Sequence, residues 1–182
     1  MKITGGFLKN HKLKTSRGLK TRPTSEKLRQ TVFDICQNQI KTAHFLDLFA
    51  GSGAMGIEAL SRGASSATFI EKDRFALKII RHNLYDLQIN HLATILAGDV
   101  VVHLKKLKEK SFDLIYLDPP YEQNLYEKPL QLIDQHEILV EGGILFIEER
   151  VSKEFSFKNF ELKKRKIGNT FLYQFNSKRR EA

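Results

Sequence analysis

The chain carries only one cysteine, Cys36, among its 182 residues, so an intramolecular disulfide is excluded and a reducing compartment suits it. Cys36 falls on the apolar side of a helical pattern and reads as a small buried hydrophobe rather than a nucleophile. No apolar run is long enough to cross a bilayer, and the first residues lack a signal-peptide pattern, so a cytoplasmic protein with no membrane attachment is expected. Internal repeats and low-complexity stretches are missing. The six histidines, His11, His44, His82, His91, His103 and His136, show no metal-ligand spacing, which argues against a zinc site. There is no Gly-x-Ser-x-Gly elbow and no phosphate-binding Gly-Lys-Ser/Thr loop, so hydrolase and kinase chemistry find no support.

Acidic residues are the scarcer charge. Against 30 Lys and Arg stand 21 Asp and Glu, giving a formal charge of +9 and a pI of about 9.6. The excess is clustered. Lys9, Lys12, Lys14, Arg17, Lys20, Arg22, Lys27 and Arg29 crowd the first thirty residues, and Lys163, Lys164, Arg165 and Lys166 form a second group. Clustered cations point to a polyanionic partner, and nucleic acid is the natural one.

The length fits one compact domain with a full hydrophobic core. Residues 1–24 read as a basic N-terminal arm or hairpin, with turn residues at Gly5-Gly6 and Asn10-His11, ahead of a single domain at 25–182. Pro23-Thr24-Ser25 starts a helix, and Leu28, Val32, Ile35, Cys36 and Ile40 follow at helical spacing. Beyond it strands are expected at 45–49, 67–71, 94–97, 112–117 and 143–148. Helices are expected near 54–62, 73–87, 99–108 and 126–136, the second with a core stripe of Phe75, Ile79, Ile80, Leu84 and Leu87. This alternation implies a doubly wound, mainly parallel sheet. Phe160 to Ile167, Gly168-Asn169 and Thr170 to Phe175 then form a terminal β-hairpin.

Two segments carry chemistry. In the first, the apolar strand Phe45 to Phe49 runs through Asp47 into Gly51-Ser52-Gly53-Ala54-Met55-Gly56 and a helix. Glycines there let a ligand approach the backbone at a helix N-terminus. Gly51-x-Gly53-x-x-Gly56 with Glu71 at the end of the next strand also fits a dinucleotide fingerprint, the acid gripping ribose hydroxyls, so this pattern alone supports NAD almost as well as any other adenosine cofactor. Asp47 tips the balance, because a pyrophosphate-binding loop gains nothing from a carboxylate before it. A cofactor bearing an ammonium and a sulfonium does gain.

The second segment is Asp118-Pro119-Pro120-Tyr121, after the apolar run Phe112 to Leu117. Two prolines force the chain out of the sheet in a stiff turn. A carboxylate, free carbonyls and an aromatic ring then stand at the strand mouth, a set suited to a planar ring bearing an amine. Hydride transfer has no use for it.

Together these segments resemble the class I S-adenosylmethionine-dependent methyltransferases that act on exocyclic amines. Nearly end to end, the chain is most similar to the bacterial 16S ribosomal RNA (guanine-N2)-methyltransferase family. The resemblance rests on Ile3-Thr4-Gly5-Gly6, Thr21-Arg22-Pro23-Thr24, Leu28-Arg29 with Val32-Phe33, and Asp47 through Gly53. It extends through Ala59-Leu60-Ser61-Arg62-Gly63-Ala64 and Glu71-Lys72-Asp73 to the proline turn. Thr-Arg-Pro-Thr is its most family-specific part, and the short, lysine-rich arm departs from the pattern.

The resemblance implies a seven-stranded Rossmann-like methyltransferase sheet with a C-terminal antiparallel hairpin. It implies S-adenosylmethionine as cofactor, held by Asp47, Phe49, Ala50, Gly51, Ser52 and Gly53, by Glu71 and Lys72, and by Asp99 and Val100. It implies catalysis at Asp118, Pro119, Pro120 and Tyr121, with the Asp118 carboxylate and Pro119 carbonyl accepting the amine hydrogens and Tyr121 stacking on the base. Arg17, Arg22, Thr24 and Arg29 would contact RNA. The expected partner is 16S rRNA in a partly assembled or complete small subunit, and the expected state is a monomer. Asp99 has an alternative role as a helix cap. Rival readings are an adenine-N6 or cytosine-N4 amino-methyltransferase acting on DNA or another RNA, a non-catalytic nucleic-acid-binding protein, and an NAD-dependent oxidoreductase.

Overall fold

The computed structural model describes residues 1–15, 25–109, 111–120, 125–155, 157 and 159–178. Its strands are β1 (His44–Leu48), β2 (Ser66–Glu71), β3 (Ala93–Ala97), β4 (Phe112–Leu117), β5 (Leu139–Glu149), β6 (Phe160–Ile167) and β7 (Thr170–Ser177). Helices α1 (Glu26–Ile35), α2 (Ala54–Ser61), α3 (Arg74–Asp86), α4 (Val100–Leu104) and α5 (Glu127–Gln135) connect or precede them. All seven strands form one sheet in the order β3-β2-β1-β4-β5-β7-β6. The pairings from β3 to β5 are parallel, and β7 lies antiparallel to both β5 and β6.

Alternation along each strand divides the core in two. Phe45, Phe69, Leu114, Tyr116 and Phe146 face the layer of α1, α2 and α3. Leu46, Leu48, Ile70, Ile115, Leu117 and Ile147 face α4 and α5. Strands covered on both faces must be apolar at nearly every position, which explains their unbroken hydrophobic runs. Parallel register places all the strand ends from β1 to β5 on one edge, where loops can converge on a ligand.

The segment of residues 1–15 makes a hairpin closed by an antiparallel bridge between Lys2 and Lys12. It is packed into the domain: Ile3, Leu8 and Leu13 are buried in the α1–α3 layer. Phe7 N–H donates to the Ser61 carbonyl at 2.8 Å, and Leu8 N–H to Ser61 Oγ at 3.0 Å. Gly6 has a φ of +77°, and a Cβ there would run into the Ser61 carbonyl, so only glycine closes this approach.

Three expectations change. Phe75 is 57% exposed rather than core, because Ala76 and Leu77 take the first inward positions of α3 and turn it outward. Helix α4 ends at Leu104, well before 108, where the inward apolar positions give way to lysines. β5 begins at Leu139 rather than 143. Gly142 and Gly143 lie inside it, opposite a register shift between Phe112 and Leu114.

Candidate active site

The edge formed by the ends of β1, β2, β4 and β5 gathers the acids. Asp47, one residue before the end of β1, is 2% exposed, and its Oδ2 accepts Gly56 N–H at 3.0 Å. Burial, the largest influence, pushes its carboxyl up to about 8; the nearby Glu71 charge adds to this, and the Gly56 hydrogen bond opposes it. After β1 the backbone turns left-handed at Phe49 (φ 60°), Gly51 (φ 56°) and Gly53 (φ 77°). For Phe49 this is a strained conformation, held by Ala50 N–H donating to the Ile70 carbonyl at 3.1 Å.

Glu71, at the end of β2, anchors this turn. Its Oε2 accepts Gly51 N–H at 2.8 Å, and its Oε1 accepts Lys72 N–H and Asp73 N–H, each at 2.8 Å. Gly53 N–H donates to the Ala50 carbonyl at 2.8 Å. All three glycine N–H groups therefore end on protein acceptors, two of them carboxylates. This leaves those three groups unavailable to a pyrophosphate. Gly56 serves packing: a Cβ on it would overlap the Phe69 ring.

Lys72 is exposed beside Glu71. Asp99 is the N-cap of α4, its Oδ1 accepting Val101 N–H at 2.9 Å and Val102 N–H at 3.2 Å, so the capping role is the one seen. The Val100 side chain is buried in the α4–α5 layer.

Asp118, half-buried, and Pro119, buried, leave β4 toward the same edge, followed by Pro120. Burial raises the Asp118 carboxyl well above its usual range, and the charges of Glu148, Asp47 and Glu149 push the same way against Arg150. Glu148 and Glu149 close β5 and are buried; Tyr116 donates its hydroxyl to Glu148 Oε2 at 2.6 Å. The ends of β1, β2, β4 and β5 thus bring five acids to one edge of the sheet inside a strongly basic chain. The last two are not marked by local sequence, because a Glu148-Glu149-Arg150 run has the composition of a solvated surface segment. A useful signal was present, since both sit at the carboxyl end of an expected parallel strand.

Tyr121, Arg17, Arg22 and Thr24 lie outside the described residues. Arg29 is corrected: it is fully buried, not an RNA contact. Its Nε donates to Glu58 Oε2 at 3.1 Å and its guanidinium also reaches the Lys2 carbonyl, because the α1 stripe carries position 29 inward with Leu28, Val32 and Phe33. Among the described residues no group of three or more His, Cys, Asp or Glu is placed to hold a metal ion, and no helix is long and apolar enough to cross a membrane.

A doubly wound sheet ending in an antiparallel β7 between β5 and β6, with acids at the ends of β1 and β2, defines a methyltransferase of the Rossmann-like class. Comparison with known proteins agrees. Residues 1–176 match the family described as conserved hypothetical protein 95, and the chain belongs to that family. It is 33% identical over 168 residues to ribosomal RNA small subunit methyltransferase D of Buchnera aphidicola (subsp. Acyrthosiphon pisum), covering 92% of this chain and 87% of that protein. It is 30% identical over 176 residues to the protein of the same name from Escherichia coli K12, covering 96% and 88%. The solved structure of yhhF from Escherichia coli superposes with a TM-score of 0.87 at 30% identity, covering 98% of each chain.

Proposed function

We propose that this protein methylates the exocyclic N2 amine of a guanine in 16S rRNA, with S-adenosylmethionine as methyl donor. The observation that carries the reading is a glycine turn whose own glycine N–H groups are taken, two of them by the carboxylates of Asp47 and Glu71, with the Asp118 carboxyl within electrostatic reach of Asp47. Such a site disfavours a pyrophosphate and suits a cationic cofactor beside a base rich in N–H donors. The names of the relatives supply the RNA.

The residues present fit the cofactor. Asp47 has its charge suppressed by burial, and a ligand bringing positive charge would restore it. Glu71 stands where ribose hydroxyls can add to the N–H groups it already accepts. Gly51 to Gly53 give the backbone room, and Lys72 and the Asp99-Val100 backbone flank the adenine side. When bound, the cofactor supplies a methyl group activated by its sulfonium.

The protein's share is positioning and electrostatics. The guanine N2 lone pair is delocalised into the ring, so the amine is a weak nucleophile. Asp118 and the Pro119 carbonyl accept its two hydrogens and turn the lone pair out of conjugation. Glu148 adds an acceptor next to it, matching an edge that presents N1–H as well as the N2 hydrogens. Pro120 fixes the turn, and Tyr121 completes the stack. A guanine in folded RNA is first swung out of its helix. Arg17, Arg22 and Thr24 would meet the RNA. On β6, Lys164 and Lys166 share a face with Phe171, at 5.0 and 5.7 Å from its ring, and would meet phosphates. The substrate is a partly assembled or complete small subunit, and the enzyme acts as a monomer in the cytoplasm.

Mass spectrometry of ribosomal RNA from a deletion strain tests this directly. One N2-methylguanine should vanish from 16S rRNA and return on complementation. Unchanged 16S rRNA would overturn the reading and turn the search to another nucleic acid.

A further inference from the structure

Asn83 interrupts the core stripe of α3 between Ile80 and Leu84 and is only 3% exposed. A buried primary amide must spend its donors and acceptor inside the protein, and the partners it finds here belong to two distant segments. Its Oδ1 accepts Lys14 N–H at 2.9 Å, and its Nδ2 donates to the Lys14 carbonyl at 3.0 Å. The same Nδ2 donates to the Ser52 carbonyl at 3.1 Å. Ser52 sits between the two left-handed glycines of the cofactor turn, and Lys14 ends the N-terminal hairpin.

We propose that Asn83 is a positioning residue of the cofactor site, its amide plane fixed on Lys14 so that it holds the Ser52 carbonyl in place. This rests on the reading of residues 47–53 as the S-adenosylmethionine site. The glycine turn has few constraints of its own: Glu71 holds Gly51 from below, and Ala50 holds Gly53. Rotation of the peptide between Ser52 and Gly53 is opposed by Asn83, whose amide plane is fixed in turn by the two bonds to Lys14. Helix packing gains nothing from an asparagine here; leucine or alanine would serve α3 better. The polar residue is explained by what it holds.

The experiment compares Asn83→Asp, Asn83→Ala and Ser61→Ala in the full chain. Measured at a pH where its new carboxyl is ionised, the Asn83→Asp variant keeps an acceptor for Lys14 N–H but cannot donate to either carbonyl, so it breaks the link to Ser52 while the hairpin retains one bond. Ser61→Ala loosens the hairpin at its other anchorage, where Ser61 Oγ accepts Leu8 N–H and donates to the Gly5 carbonyl, without touching Ser52. S-adenosylmethionine binding is measured by titration calorimetry, amide exchange of residues 51–56 without cofactor by mass spectrometry, and stability by melting. Both Asn83 variants should bind the cofactor on the order of tenfold more weakly or worse, the loss expected of one buried hydrogen bond, and should exchange faster at 51–56. Ser61→Ala should lower the melting temperature while binding within about twofold of the parent, well inside the loss expected of a hydrogen bond. Parent-like binding by Asn83→Asp would overturn the proposal, as would equal weakening by Ser61→Ala. If Asn83→Ala does not fold, Asn83→Asp decides alone. Absence of cofactor binding by the parent protein would instead overturn the proposed function, so the two failures are distinct.

Discussion

Arg29 Nε lies 3.1 Å from Glu58 Oε2, with both side chains sealed from solvent. The Glu58 carboxylate also accepts Arg62 Nε–H at 3.0 Å and Thr4 N–H at 2.9 Å, so one buried acid ties the N-terminal hairpin, α1 and α2 together. Arg29→Ala should therefore act on stability. Removing one partner of a buried ion pair costs about 3–5 kcal/mol, and Arg62 and Thr4 should hold the loss near the lower value. Denaturant unfolding measures it. At a temperature where the variant is folded, its RNA affinity should match the parent. A folded, fully stable variant that lost RNA binding would restore Arg29 to the surface.

How far that outcome was visible beforehand depends on what a single sequence encodes. The glycine turn, Glu71 after β2 and the proline turn after β4 were legible because local backbone requirements choose those residue types, and strand periodicity places them on one edge. Arg29 was misread because a basic cluster in sequence says nothing about which face each member takes; only the helical stripe of α1 does. Phe75 failed for the opposite reason, since hydrophobicity alone put it in the core while the cap at Asp73 set the register of α3. Asn83 and Glu148 were hidden because their roles come from partners 69 and 32 residues away. No local pattern carries such pairings.

Asp47 makes the ligand-free protein sensitive to pH. Its folded carboxyl stands at about 8 against an ordinary 3.8. An acid raised on folding gives a stability contribution that is whole below the ordinary value and is lost as pH rises through the folded one. Melting of the parent relative to Asp47→Asn should therefore worsen steadily from about pH 4 to about pH 8. Cofactor binding should run the other way, because a cationic ligand selects the ionised carboxylate. Affinity should climb by up to about tenfold per pH unit below about 8 and flatten above, with proton release in calorimetry. Asp47→Asn should remove that component. Affinity that fell toward alkaline pH in the parent alone would place Asp47 away from the ligand's charge.

Glu71 offers a test with a chemical partner. If it grips the ribose, the parent should discriminate against 2′-deoxy-S-adenosylmethionine, and Glu71→Ala should bind both forms with equal, weakened affinity. The coupling in this double cycle should correspond to about 1.5–3 kcal/mol, as for hydrogen bonds to a charged group. Undiminished discrimination in Glu71→Ala would leave Glu71 as a brace for Gly51 and nothing more.

Asp118 bears the heaviest chemical claim. Burial and the charges of Glu148, Asp47 and Glu149 hold its carboxyl well above the usual range. A protonated acid is a poorer acceptor for an amine than its carboxylate, so turnover at saturating cofactor should rise with pH through the raised value and then level off. Asp118→Asn keeps a neutral acceptor of the same shape. It should lose about 10²–10³-fold in turnover, the scale seen when one preorganised electrostatic group is removed, and its pH profile should be flat. Asp118→Ala should lose more, because the acceptor itself is gone. Cofactor affinity should stay within about threefold in both, since neither change removes a hydrogen bond to the donor. A turnover-competent Asp118→Ala variant would assign the aspartate to the turn alone and leave Pro119 and the β5 acids to hold the base.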